Sequence, residues 1–362
     1  GQDWVVFSDS ARFAQAPSVA DYAAQKVPLD GIAAKYVRLT ARNNWNSMFA
    51  QYGLSEVRFY QVPAFAREPD PAPETADIDP RTALLTWWPG REAASHEVYL
   101  GDDADAVADG TAPMAAVAGT SYAPQSLDVN ATYYWKVVEV NEAETPSEWD
   151  SSIWGFSTVE YLTVEDFESY TNESPHRVFQ WWRDGVGFSA DEFFPNEYTG
   201  NGTGAAVRHD IWTGGYTTLM ETGDVHGGAQ SMPLYYDNGA APRYSEAQYT
   251  FAEAPDWTRH GVTSLVLYVR GDANNVAAPL YIEVNGTKYD TGVPDTTVAT
   301  WTPWTIELAD LAAKGVNLQS IQTLTIGVGD GVSGGSGMIL IDDIGLYAVP
   351  PEAPVAVNPA AG

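Results

Sequence analysis

Apolar and polar residues alternate along most of this chain in short runs, each closed by Gly, Pro, Asn or Asp. A period of two predicts half-buried strands, and the helical period of about 3.6 is nearly missing. Runs of this kind between residues 160 and 348 fall at 205–209, 231–236, 247–251, 264–269, 280–284, 302–307, 323–327 and 337–344. Antiparallel strands in that number predict a jelly roll. The only helix-like piece is Leu308-Ala309-Asp310-Leu311-Ala312-Ala313. Residues 71–158 predict a smaller sandwich, with Ala83-Leu84-Leu85-Thr86-Trp87, His96-Glu97-Val98-Tyr99-Leu100 and Tyr133-Tyr134-Trp135-Lys136-Val137-Val138 as strands. Residues 64–80, rich in Pro, Ala and acid, predict an extended spacer. Residues 1–63 alternate at Lys35-Tyr36-Val37-Arg38-Leu39-Thr40 and at Gly53-Leu54-Ser55-Glu56-Val57-Arg58-Phe59-Tyr60, around an Asn43-Asn44-Trp45-Asn46 loop. Residues 349–362 read as a linker tail. The fold class is all-β: tandem β-sandwiches, the last a jelly roll.

Composition narrows the partners. The 362 residues predict two or three domains, and 44% apolar content supports real cores. No apolar run is long enough to span a bilayer. With 18 basic and 48 acidic residues the net charge is −30, which argues against nucleic acid and anionic membrane. The same charge suits a solvated surface, a saline habitat or calcium sites, and does not choose among them. There is no cysteine, so neither disulfides nor thiol chemistry operate. A large β-domain needs no such staples, so export is compatible with this composition. A start at Gly1-Gln2-Asp3-Trp4 reads as a piece of something longer. Asn130, Asn172, Asn201 and Asn285 open glycosylation triplets, which chance supplies in a Thr-rich chain.

Two acidic stretches sit near the ends of the largest domain: Val164-Glu165-Asp166-Phe167-Glu168 and Ile339-Leu340-Ile341-Asp342-Asp343-Ile344. Carboxylates inside apolar strands are costly unless paired. If these strands lie side by side, they share a hard cation with oxygen ligands. The expected ligands are Asp166, Glu168, Ser231 and Asp343, with Asp342 as substitute, and the Gly227-Gly228 turn lets backbone near His226 approach. The other reading leaves Asp166 and Asp342 facing solvent. Should Ile341 and Ile344 both face the core, the strand must bulge between them.

Of the 13 Trp, 20 Tyr and 12 Phe many fill cores, and the surplus of Trp is what a sugar-binding surface would want. Flat rings suit the apolar faces of sugars, with amides, carboxylates and guanidinium groups at the rim. Phe179-Gln180-Trp181-Trp182-Arg183-Asp184-Gly185, Trp212-Thr213-Gly214-Gly215-Tyr216 and Tyr235-Tyr236-Asp237-Asn238 are the candidate stretches. They give Trp181, Trp182, Arg183, Asp184, Trp212, Tyr216, Tyr235, Tyr236 and Asn238 as sugar contacts, with Arg208, His209 and Glu221 as further polar groups. Adjacent Trp181 and Trp182 put one ring in the core and one outside. Trp87, Trp135 and Trp304 are expected in cores.

Three resemblances follow from these residues. The acidic end strands with Gly227-Gly228-Ala229-Gln230-Ser231 between them resemble jelly-roll carbohydrate-binding modules. That implies glycan binding and a structural calcium remote from the sugar. Leu127 six residues before Tyr133, with the alternating strand after it, resembles a fibronectin type III domain, which implies a corner tyrosine bonded back to the chain and a spacer role. The 34–39 and 53–59 strands resemble the C-terminal half of a discoidin-like domain, in which Glu56 matches a calcium-supporting position. Together they imply non-catalytic polysaccharide binding by an accessory region of a larger secreted or cell-surface protein. The alternatives are a self-associating structural or adhesive protein and a polysaccharide lyase or glycosidase. For an enzyme, no spaced carboxylate pair, nucleophile elbow or zinc helix appears. No motif locks Arg208, His209, Tyr216, His226 and Tyr235 together.

Overall fold

The computed structural model describes residues 56–352 throughout and, before them, residues 4, 6–7, 12–15, 23–29, 34–45 and 53. Its strands form two sandwiches in series.

The first holds β1 (Arg67–Asp70), β2 (Thr75–Ile78), β3 (Leu85–Trp88), β4 (Ser95–Gly101), β5 (Met114–Val117), β6 (Ser121–Tyr122), β7 (Thr132–Val140), β8 (Glu148–Asp150) and β9 (Trp154–Thr158), with the short helix α1 (Ala104–Ala108). One sheet runs β1-β3-β6; the other runs β2-β9-β7-β4-β5, with β8 on β7. Inward alternation buries Leu85, Trp87, Val98, Trp135, Val137 and Phe156 between them. Tyr133 hydroxyl accepts the Asp128 N–H at 2.9 Å, the expected bond back to the chain. The 64–80 segment is not a spacer, because it supplies β1 and β2. Pro69 is tolerated there since β1 is an edge strand.

The expected strands of residues 1–63 are not found among the described residues, where 34–44 and 56–60 pair with no strand. Leu54, Ser55 and Asn46 lie outside the described residues. Glu56 is exposed, and its carboxylate meets the Arg58 guanidinium at 2.7 Å.

The second sandwich holds β10 (Tyr161–Glu165), α2 (Val178–Trp181), β11 (Trp182–Arg183), β12 (Ala205–Ala206), β13 (Met232–Asp237), β14 (Tyr244–Thr250), β15 (Ser264–Arg270), β16 (Leu280–Val284), β17 (Thr287–Tyr289), β18 (Thr302–Glu307), α3 (Leu308–Ala313), β19 (Thr323–Gly329) and β20 (Ser336–Tyr347). Its six-stranded sheet runs β12-β13-β20-β15-β18, with β10 also on β20. Its five-stranded sheet runs β11-β14-β19-β16-β17. The core between them includes Trp182, Leu234, Leu267, Ile282, Trp304, Ile326 and Ile341. The first and last strands do lie side by side, with Tyr161 opposite Tyr347. Ile341 and Ile344 are both buried, and the strand bulges between them: Asp343 takes φ +43° and both flanking ladders slip register there. The expected 205–209 strand stops at Ala206. The next odd N–H groups turn elsewhere, Val207 to the Asp184 carboxylate and His209 to the Leu219 carbonyl.

The two sandwiches touch closely. Val129 of the first packs into the second core, His260 Nδ1 donates to the Leu127 carbonyl at 2.6 Å, and Arg259 donates to the Gln125 carbonyl at 3.0 Å.

Candidate functional site

Strand alternation in the five-stranded sheet turns Trp182, Ala247, Ile282, Leu324 and Ile326 inward and their neighbours outward. The register then draws the outward residues into lines. Arg183 faces Gln248, Gln248 faces Thr325, Thr325 faces Glu283, and Glu283 faces Lys288. One polar side chain from each strand therefore stands in a single row across the sheet. Adjacent strands place such neighbours about 4.8 Å apart.

A second row, two residues along, is Glu246, Gly327 and Tyr281. Here the glycine is required. A Cβ on Gly327 would stand 2.2 Å from the Tyr281 ring, so the ring lies flat on bare backbone. Tyr281 hydroxyl donates to the Glu246 carboxylate at 2.6 Å. The Lys288 ammonium sits 3.5 Å from the Tyr281 ring centroid on the other side, so the ring is 3% exposed while Lys288 is free to solvent. Gln248 donates to the Thr325 hydroxyl at 3.1 Å, and the Arg183 guanidinium lies 5.1 Å from the Tyr198 ring centroid. Burial pushes the Glu283 carboxyl above its ordinary range; the Glu246 charge adds to this and Lys288 opposes it. Burial and the bond to Glu246 push the Tyr281 hydroxyl up, which keeps it a donor. The face offers guanidinium, ammonium, amide and carboxylate groups at strand spacing beside one flat ring. Sequence reasoning named only Arg183 here. The missed signal was Gly327, a glycine in the interior of the strand Thr323–Gly329, where close approach of another group is a usual cause.

The sequence-derived sugar contacts divide. Four are buried and out of reach. Trp182 faces the core at the start of β11. Asp184 is closed over by the N–H groups of Val186, Gly187 and Val207. Tyr236 points inward and donates to the Val276 carbonyl. Asn238 donates to the Val328 carbonyl and accepts from the Ser245 hydroxyl. Trp181, Arg183, Trp212 and Tyr216 are exposed, and Tyr235 is half-buried. Trp181 ends the turn α2 and Trp182 begins β11, so one indole is outside and one is core.

Around the second sandwich's other sheet, three of the residues that no motif linked, His209, Tyr216 and Tyr235, do meet, while His226 lies apart at the Asp343 turn. His209 is buried; its Nδ1 lies 2.7 Å from the Tyr235 hydroxyl and its Nε2 3.1 Å from the Glu221 carboxylate. Its ring stacks on Tyr216, with centroids 4.1 Å apart and planes 4° from parallel. Burial pushes the His209 pKa down, against the pull of Glu221. With both nitrogens engaged and the ring covered, His209 has no free lone pair for a substrate. Arg208 guanidinium lies over Phe179 at 3.9 Å and near Trp212 at 6.0 Å, and 3.8 Å from the Asp184 carboxylate.

The expected cation ligands divide as well. Glu168 and Asp343 converge on the Gly227-Gly228 turn, where a Cβ would stand 2.2 Å from Glu168 and 2.5 Å from Asp343. Glu168 accepts the Ala229 and Gln230 N–H groups. Buried Asp342 accepts the His226 and Gly227 N–H groups, and Asp343 meets His226 Nδ1 at 2.5 Å. Asp166 and Ser231 turn away: Asp166 accepts the Glu168 N–H, and Ser231 hydroxyl donates to the Asp224 carbonyl. Among the described residues no three His, Asp or Glu side chains form a group that could hold a metal ion. The turn meets these carboxylates with N–H donors and the His226 ring, so a cation there would have Glu168 and Asp343 as its side-chain ligands and draw the rest of its shell from water.

No protein-family model matches the chain, and no curated protein matches it. Solved structures do resemble it. A carbohydrate-binding module of the β-sandwich superfamily is 12% identical over 80% of this chain and 100% of that chain, at a TM-score of 0.29. The family 11 carbohydrate-binding module from Clostridium thermocellum, solved with a β-1,3-1,4-mixed-linked tetrasaccharide, is 16% identical over 53% of this chain and 97% of its own, at a TM-score of 0.31. An exo-β-agarase is 14% identical over 53% of this chain and 25% of its own, at a TM-score of 0.35. Likeness at these scores carries no argument about ligand or activity.

Proposed function

We propose that the second sandwich binds a neutral polysaccharide, without cleaving it, on the outer face of its five-stranded sheet. The carrying observation is the row Arg183, Gln248, Glu283 and Lys288, with buried Thr325 anchoring Gln248 from beneath, beside Tyr281 lying flat on Gly327. Hydroxyls along a glycan exchange water for charged and amide partners, and bonds to charged groups are the stronger kind. Tyr281 supplies an apolar face once Lys288 swings aside. Paired carboxylates and a net charge of −30 disfavour an acidic glycan. Binding without cleavage is favoured because Tyr281 occupies Glu246 and His209 is fully engaged.

The first sandwich serves as a fibronectin type III-like spacer in a secreted or cell-surface protein. Tyr133 bonded to Asp128 supports the first half of that reading. Calcium held by Glu168 and Asp343 would neutralise the carboxylates at the glycine turn and clasp the end strands; at an ion concentration about 100 times Kd it would add about 2.7 kcal/mol to stability.

Native electrophoresis of the whole chain through gels holding mixed-linkage β-glucan, agarose or xylan tests the binding. At least one gel should retard the parent, and Arg183→Ala with Glu283→Gln should weaken that retardation about tenfold. Equal mobility of the parent in every gel refutes the reading. For the ion, a melting curve unmoved by chelator removes calcium from the account.

A further inference from the structure

We infer that the 210–216 loop is a second glycan contact on the opposite side of the same sandwich, so that one molecule bridges two polysaccharide strands. The loop contact stands independently of the sheet-face reading; the bridging rests on both.

The loop presents two rings to solvent, Trp212 at 60% and Tyr216 at 46% exposure. Neither ring is loose. Tyr216 is stacked face to face on buried His209, which is itself held by Tyr235 and Glu221. Trp212 has the half-buried Arg208 guanidinium behind it. The backbone beneath is cinched at its start by Asp210, which accepts the Trp212 and Thr213 N–H groups and the Thr213 hydroxyl. Beyond Tyr216 it is tied by Asn172, which donates to the Thr217 carbonyl and accepts the Leu219 N–H. A surface held this firmly loses little conformational entropy when a ligand lands on it.

Its chemistry selects the occupant. Residues 211–218 carry no charged side chain, in a chain with 48 acidic residues. Thr213, Gly214 and Gly215 between the two rings add no large apolar side chain for a protein partner to bury. Separate flat rings with the Tyr216 and Tyr235 hydroxyls at their edge match the alternating apolar faces and hydroxyls of an uncharged glycan.

The placement supplies the bridging. Leu234 and Tyr236 of β13 lie in the core, so Tyr235 between them faces outward from the six-stranded sheet. Tyr281 faces outward from the five-stranded sheet. Packed sheets are about 10 Å apart, and the two surfaces look away from each other across that thickness. A single strand lying flat on one surface does not reach the other.

A sandwich capture assay tests this with the whole chain. Beads carrying agarose, mixed-linkage β-glucan or xylan are loaded with protein, washed, and offered the same soluble polysaccharide with a fluorescent label. The parent should capture label on at least one bead type. Trp212→Ala with Tyr216→Ala should stay on the beads through the sheet face and capture about tenfold less label. Arg183→Ala with Glu283→Gln should lose capture to a similar degree while staying on through the loop. Circular dichroism of both variants should match the parent, since all four side chains are exposed or half-buried. The inference is overturned if the loop variant captures label like the parent, or if the parent captures none on any bead. A loop variant that leaves the beads entirely, beside a sheet-face variant that binds like the parent, overturns the sheet-face reading and the bridging together and leaves the loop as sole contact.

Discussion

The two outer faces of the second sandwich solve the same physical problem by opposite means. On the five-stranded sheet, position comes from the ladder. Each group of the Arg183-to-Lys288 row inherits its place from backbone hydrogen bonds that the fold already makes. On the six-stranded side, position is imposed on a loop by side chains: Asp210 and Asn172 fix the backbone, and His209 fixes a ring. The strand-built face is charged and has its one ring covered by Lys288. The loop-built face has its charges at the edge, Asp210 at the loop start and Arg208 behind Trp212, with both rings open to solvent. Rigidity borrowed from a sheet survives any single surface mutation, whereas rigidity assembled from a few side chains is lost when one of them goes.

The sharpest way to break the comparison is Gly327→Val. No side chain fits between that backbone and Tyr281, so the ring must leave its bed. Overpacking of this kind costs about 1–3 kcal/mol of stability. Binding through the sheet face should fall at least tenfold, by roughly the 1.4 kcal/mol that a factor of ten represents. Retention on polysaccharide beads through Trp212 and Tyr216 should persist. Thermal denaturation and gel retardation measure the two effects separately, and unchanged retardation would mean that Tyr281 takes no part.

Asp210→Ala probes the other face with a smaller effect. The N–H groups of Trp212 and Thr213 lose their shared acceptor, and the loop gains freedom that a ligand must then remove. Capture of labelled polysaccharide should drop several-fold while sheet-face retardation stays the same. Asp210→Asn, which keeps one acceptor oxygen, should recover most of the loss. Equal capture by the Ala variant would show that the cinch is unimportant.

These mechanics also explain what could be read from the sequence. The loop face was legible because its parts are contiguous: Trp212, Tyr216 and Tyr235 stand in short aromatic stretches that catch the eye. The sheet face was not, because Arg183, Gln248, Thr325, Glu283 and Lys288 meet only through registers that no local pattern encodes. Period two identified the strands but not their neighbours, and a one-residue slip would turn every one of these groups inward. Trp182, Tyr236 and Asn238 were misplaced for the related reason that an aromatic or amide stretch does not announce which member faces the core. Asp342 and Asp343 show the reverse. The need to bury both Ile341 and Ile344 forced a bulge, and that constraint was visible in the order of residues alone. Residues 64–80 misled because proline content marks edge strands and spacers alike.

The smallest expected effect is a difference in pH response between the two faces. Glu283 titrates above the ordinary glutamate range, pushed there by burial and by Glu246, with Lys288 pulling the other way. In the folded chain its neutral form is therefore relatively favoured. Its contribution to stability is fully present below the ordinary glutamate pKa and is lost as pH rises through the raised value. Binding has the opposite sign. The ionised carboxylate accepts sugar hydroxyls and offers Lys288 an alternative to the Tyr281 ring, so sheet-face affinity should strengthen as pH rises through the same window. Glu283→Gln should flatten both trends. Asp210, held below the ordinary carboxylate range by the Thr213 hydroxyl and the loop N–H groups, stays ionised throughout that window, so the loop contact should change less than the sheet face. Gel retardation of the parent, Glu283→Gln, and Trp212→Ala with Tyr216→Ala, run from acid to neutral pH, separates these outcomes. A parent whose sheet-face retardation weakens as pH rises would reverse the sign and remove Glu283 from the binding row.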